Sequence, residues 1–154
     1  MDLLKFIALD VEDLAVVSTH LQDAVVKTSE VLWRPQERRV VVALNRFDWE
    51  AAQASPPAYR RRRAALRFER VFSCQGHDLT PQDQDAVLNL LDVAFSETNP
   101  PSGVVTLIFS GGAALRLEVE CLEVELVDLG PTWTAVACPA HAEVELPPAK
   151  SDRI

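Results

Sequence analysis

The clearest pattern in the chain lies between residues 103 and 129 (GVVTLIFSGGAALRLEVECLEVELVDL). There, two runs of β-branched and aliphatic residues flank Ser110-Gly111-Gly112. Glycine adopts positive φ at little steric cost, so paired glycines between two such runs predict a hairpin. We expect this hairpin at the centre of a sheet. In its second arm Leu115, Leu117, Val119 and Cys121 alternate on odd positions, whereas Leu122, Val124 and Leu126 alternate on even ones. A one-residue slip turns the apolar side chains to the opposite face, so a bulge or barrel corner is predicted at Cys121-Leu122. A helix is the rival reading, because Val119, Leu122, Leu126 and Leu129 also fall at helical spacing before Gly130-Pro131. The alternation covers more residues, and a bent strand is expected.

The same reasoning divides the rest of the chain. Residues 3–9 suit a short strand. Asp10 then reads as a helix N-cap, with Glu12 and Asp13 in the first turn, where carboxylates meet free amides and the positive end of the helix dipole. Leu14, Val17 and Leu21 recur at helical spacing and predict a helix over residues 11–22. Residues 24–28, 30–34 and 39–47 read as strands, with a turn at Pro35 to Arg38. Both faces of 39–47 are apolar, which places that strand centrally or in a barrel wall. Residues 50–59, with Pro56-Pro57, and the polar stretch 75–85 read as loops, and 60–72 as an alternating strand. Residues 86–95 fit either helix or strand; strand is preferred because a Pro-Pro loop at 97–103 separates them from the hairpin. Residues 131–144 have no clear period and are expected to wrap the domain.

Together these elements predict a β-rich α+β fold. It is a bent antiparallel sheet or small β-barrel of about seven or eight strands, with the N-terminal helix packed on it. Pleckstrin-homology-like and split-barrel arrangements are both compatible. Residues 1–146 are expected to form a single globular domain, and residues 147–154 a flexible C-terminal tail.

Composition narrows the function classes. The 154 residues are 48% hydrophobic and 25% charged, as in a globular chain, and the formal net charge is −8. That charge opposes nucleic acid and anionic membrane as partners. The N-terminal apolar run is interrupted by acidic residues, unlike a signal peptide, and no window approaches the ~20 apolar residues of a membrane span. Three cysteines, an odd number, do not suggest a disulfide framework, so a cytoplasmic location is expected.

Candidate chemistry is sparse. Cys74-x-x-His77 and Cys138-x-x-His141 together offer two thiolates and two imidazoles, ligand types suited to tetrahedral zinc, but neither pair has an established zinc-finger spacing. A coincidence of two cysteines with nearby histidines is the preferred reading, and no metal site or cofactor is expected. His20 lies off the helix's main apolar stripe and has no evident partner for base chemistry. Cys121 falls in an apolar strand pattern, where cysteine packs as a small hydrophobe. Arg60, Arg61, Arg62 and Arg63 form a basic run in an acidic chain; the preferred reading is a solvated strand entry whose arginines pair with glutamates. Arg46, Asp48 and Trp49, with Trp133, form the candidate binding surface, because Arg and Trp dominate interaction hot spots and a strand end entering a loop can present them. The plainer alternative is that Trp49 closes one end of the core while Arg46 and Asp48 make ordinary cross-strand contacts.

The opening LKFIALDVEDLAVVSTHLQDAV, the LNRFDWE segment, the SGGAALRLEVECLEVELVDLG run and the closing GPTW together resemble an uncharacterised bacterial family catalogued as a domain of unknown function. The resemblance covers nearly the whole chain. It implies a small single-domain bacterial protein and carries no activity or site residues with it. The expected function is a non-catalytic cytoplasmic binding or interaction module, with a protein partner or self-association. A metal-dependent or small-molecule enzyme using the Cys/His pairs is the alternative.

Overall fold

The computed structural model describes residues 3–79, 86–135 and 138–139. The strands are β1 (Lys5–Ala8), β2 (Ala24–Lys27), β3 (Val31–Arg34), β4 (Arg39–Phe47), β5 (Arg60–Phe68), β6 (Val71–His77), β7 (Val87–Glu97), β8 (Gly103–Phe109), β9 (Ala114–Val119) and β10 (Val124–Thr134). They form one ten-stranded sheet, ordered β1-β10-β5-β4-β2-β7-β8-β9-β6, with β3 paired to β4 beside β2. Every pairing is antiparallel. Among the described residues the terminal strands β1 and β6 do not pair with each other, so the bent sheet stays open rather than closing into a barrel.

One corner bends two strand pairs together. Strands β5 and β10 pair up to Phe68 and Val124, and β6 and β9 take over at Val71 and Val119. The four strands are therefore one long two-stranded ribbon folded at residues 69–70 and 120–123. Two backbone bonds hold the corner: the Glu69 N–H donates to the Glu123 carbonyl at 3.0 Å, and the Glu120 N–H donates to the Arg70 carbonyl at 2.9 Å. Arg70 turns the chain with φ of 59°. Both strands change phase here. Leu66 and Phe68 point inward before the corner and Val71 after it, just as Leu117 and Val119 give way to Leu122 and Val124. Turning the ribbon over reverses which parity faces the core, so each strand must slip by one residue to keep its apolar side chains inside. The predicted corner at Cys121-Leu122 is present, and the helical reading of this stretch is excluded.

The core fills the space enclosed by the folded sheet, with Val40, Val42, Leu66 and Phe68 of one half against Leu107, Leu115 and Leu117 of the other. Helix α1 (Val11–His20) covers the sheet beside β7 and β1. Asp10 caps it by accepting from the Asp13 N–H at 2.8 Å, and Leu14 and Val17 supply the buried stripe. Ser18 ties it to β7, donating to Asp92 Oδ1 at 2.9 Å and accepting from the Val93 N–H at 3.2 Å.

Several expectations are corrected. The glycine hairpin forms through Gly111 and Gly112 at φ of 77° and 86°, but β8 and β9 lie towards one end of the sheet, with only β6 beyond them. A folded sheet buries an off-centre strand as deeply as a middle one, so apolar pattern reports burial and not position. The stretch 131–144 was expected to wrap the domain without a clear period, yet β10 continues to Thr134 past a register shift between Asp128 and Thr132 that accommodates Gly130 and Pro131. The loop at 50–59 opens with a short helix, α2 (Trp49–Ala52), capped by Asp48. The tail expected over residues 147–154 lies outside the described residues.

Candidate functional site

The predicted binding residues gather where β4, β5 and β10 end together. Strand alternation explains how they divide. In the β4–β5 register Arg46 lies opposite Arg62 and Phe47 opposite Arg61, while in β5–β10 Arg62 lies opposite Thr132 and Arg61 opposite Trp133. Arg46 and Arg62 therefore face the enclosed side. Phe47, Arg61 and Trp133 form a row across three strands on the other side.

The enclosed side carries an ion network. Arg46 forks onto Asp128, Nε to Oδ1 and Nη2 to Oδ2, both at 2.9 Å, with each side chain 1% exposed. Asp128 Oδ2 also accepts from the Leu4 N–H at 2.9 Å, which anchors the start of β1. Asp48 Oδ2 accepts from Arg62 Nε at 2.7 Å and Arg60 Nε at 3.2 Å, and Oδ1 accepts from the Ala51 N–H at 3.0 Å. Burial pushes both carboxyls up. Their hydrogen bonds and the facing guanidinium charges more than offset this, leaving Asp48 and Asp128 below the ordinary carboxylate range.

The other side is aromatic. Arg61 is 1% exposed; its Nη1 donates to the carbonyls of Asp23 at 3.1 Å and Asn45 at 3.2 Å, and its guanidinium lies 5.7 Å from the Phe47 ring centroid. Trp49 meets Phe47 edge-on at 4.6 Å, and its indole N–H donates to the Gln22 carbonyl at 3.3 Å. Tyr59 lies 6.3 Å from Phe47 and is 44% exposed, while Trp49 and Trp133 are half-buried. Arg63 donates to Glu30 Oε2 at 2.6 Å and Asn45 Oδ1 at 3.2 Å.

Of the four predicted residues, Trp49 and Trp133 thus share the aromatic side, whereas Arg46 and Asp48 are buried in the ion network. The arginine run is not a solvated strand entry: Arg61 and Arg62 are buried, and alternation sends Arg60 and Arg62 to Asp48 and Arg61 and Arg63 to the opposite face. Asp128 was not singled out from the sequence, and Arg61 was read only as part of the basic run. The signal for Asp128 was present, since it continues the even, inward parity of Leu122, Val124 and Leu126. An inward aspartate on an apolar strand calls for a buried cation.

Cys74 and His77 do not form a shared ligand pair. Cys74 and His77 are three residues apart on β6, so they project to opposite faces. Cys74 packs against the core, and burial pushes its thiol up to about 11, away from the thiolate a metal requires. His77 is 76% exposed in side chain beside Asp78. Cys138 is exposed near Arg61 and Asp23, and His141 lies outside the described residues. Among the described residues no group of three His, Cys, Asp or Glu could hold a metal ion. His20 sits half-buried in the last turn of α1, and Cys121 at the ribbon corner. No helix among the described residues is long and apolar enough to cross a membrane.

Fold and site define an open antiparallel-sheet protein whose strand ends are locked by a buried arginine–aspartate network beneath an aromatic surface. The chain belongs to the family described as a protein of unknown function (DUF2948), which matches residues 4–141. No curated protein and no solved structure matches it.

Proposed function

We propose that the protein is a non-catalytic binding module of the bacterial cytoplasm that contacts a protein partner, or a second copy, through the aromatic surface of Trp49, Tyr59 and Trp133. In this reading Arg46 and Asp48 act from below, holding the ends of β4, β5 and β10 so that the aromatic row keeps its shape. The observation that carries it is the row Phe47–Arg61–Trp133, flanked by partly exposed Trp49 and Tyr59. Rigid aromatics around a buried arginine are the composition of binding hot spots. Catalysis is disfavoured by how the titratable groups are used. Asp48 and Asp128 are committed to arginines, and Cys74 is held as a thiol. The acidic chain and the carboxylate partners of Arg60, Arg62 and Arg63 speak against nucleic acid.

Affinity capture from the native cell extract, run in parallel with wild type, Trp133→Ala and Trp49→Ala, tests this. The expected result is a discrete partner, or a homodimer, lost in both variants while their circular dichroism and melting remain cooperative. Identical capture by the folded variants would sink the proposal. Unfolding of both would assign the tryptophans to the core instead.

A further inference from the structure

Among the described residues, strand β7 pairs with β2 over Val87 to Leu90 and with β8 at Leu90 and from Asp92 to Glu97, so from Asp92 onward β8 is its one strand neighbour. The Val93 N–H points away from β8, where the Ser18 hydroxyl receives it. With the alternation of an antiparallel strand, the backbone N–H and C=O groups of Phe95 and Glu97 point the same way. Among the described residues that edge opens on a groove made of two adjoining cavities of about 400 and 590 Å³, which share Val11 and Phe95 in their walls. Helix α1 forms the opposite bank with Val11, Ala15 and Thr19; the floor continues past Leu9 to Leu122 at the ribbon corner. Leu9 and Val11 are 63% and 55% exposed. Asp10, Asp92 and Glu97 line the two cavities, and no lysine, arginine or histidine does so among the described residues.

The geometry points to a second binding site, in which an extended segment of a protein partner carrying lysine or arginine adds as a strand to the edge of β7. An open strand edge beside a helix supplies main-chain hydrogen bonds for affinity and side-chain hollows for selectivity. Here the hollow beside Leu9, Phe95 and Leu122 takes an apolar side chain. The carboxylates along the rim select for cationic neighbours and against acidic ones. The site adjoins the aromatic surface only through Gln22, which lines the groove and whose carbonyl accepts from the Trp49 indole; Trp133 does not line it.

The test uses a fluorescein-labelled hexapeptide of alternating lysine and valine, read by fluorescence anisotropy on the full chain. Saturable binding is expected, with amide shifts in the NMR spectrum confined to residues 92–97 and α1. N-methylation of alternate peptide amides should weaken it about tenfold or more, because the main-chain donors are removed. Ala15→Trp, which fills the groove from an exposed position, should weaken it by about the same factor, and Glu97→Lys by about threefold or more. Trp133→Ala should leave it unchanged, so failure here is distinguishable from failure of the aromatic surface. No saturable binding, or binding that survives both N-methylation and Ala15→Trp, would overturn the proposal. So would shifts confined to other surfaces.

Discussion

Arg46 on β4 and Asp128 on β10 form a bidentate ion pair across an intervening strand, reaching over β5 at the small, fully buried Ala64. Removing one partner leaves a buried charge without its counterion, which costs far more than the pair contributes. Asp128→Ala is therefore expected to destabilise the fold by about 3–5 kcal/mol. The pair Arg46→Met with Asp128→Leu should recover most of that loss, although the Leu4 N–H then lacks its acceptor. Urea denaturation of the singles and the double checks the coupling; strictly additive losses would show that the two side chains do not act as a unit.

The same network sets an acid limit. Asp48 and Asp128 have folded-state pKa values below those of the unfolded chain, so their contribution is complete above the ordinary aspartate value of about 3.9 and is lost as pH falls from there through the lower folded-state values. Stability from this source should be level between about pH 5 and 7 and decline below about 4. Unfolding free energy measured across that range should show a shallower acid decline in Asp48→Asn and Asp128→Asn than in the wild type.

At the start of β8, Gly103 permits a close approach that no other residue allows. A Cβ there would stand 2.5 Å from the Ser96 carbonyl oxygen and 2.7 Å from the Phe95 ring. The first is backbone across the hairpin and the second is the aromatic wall of the β7 groove, so neither yields freely. Gly103→Ala is expected to cost about 1–3 kcal/mol through overpacking, seen as a lower melting temperature. Peptide binding to the groove should also weaken if Phe95 is displaced.

The cysteines should differ in reactivity. With its thiol pushed up to about 11 from an ordinary 9.0, Cys74 carries about a hundredfold less thiolate near neutral pH. In native protein treated with iodoacetamide at pH 8, peptide mapping should show exposed Cys138 modified well before Cys74. Denaturation should equalise them. Early labelling of Cys74 in the native state would contradict its packing against the core.

What the sequence determined by itself was local: alternation, capping and turn chemistry depend on neighbours along the chain. Asp10 at the head of α1, the glycine turn after β8 and the phase slip at Cys121-Leu122 were all legible for that reason. The slip announced a bulge or a corner, because a strand changes its inward parity only where an extra residue or a turn interrupts the alternation. The position of the hairpin in the sheet was not legible, since burial patterns are the same for any strand inside a folded sheet. Nor was the division of Arg60 to Arg63 between two faces, or the union of Arg46 with Asp128, 82 residues further on. Charge runs look solvated in sequence because nothing local states which strands will lie alongside. Only the tertiary pairing of β4, β5 and β10 brought the acids to the arginines, and with them made burial of those charges physically tolerable.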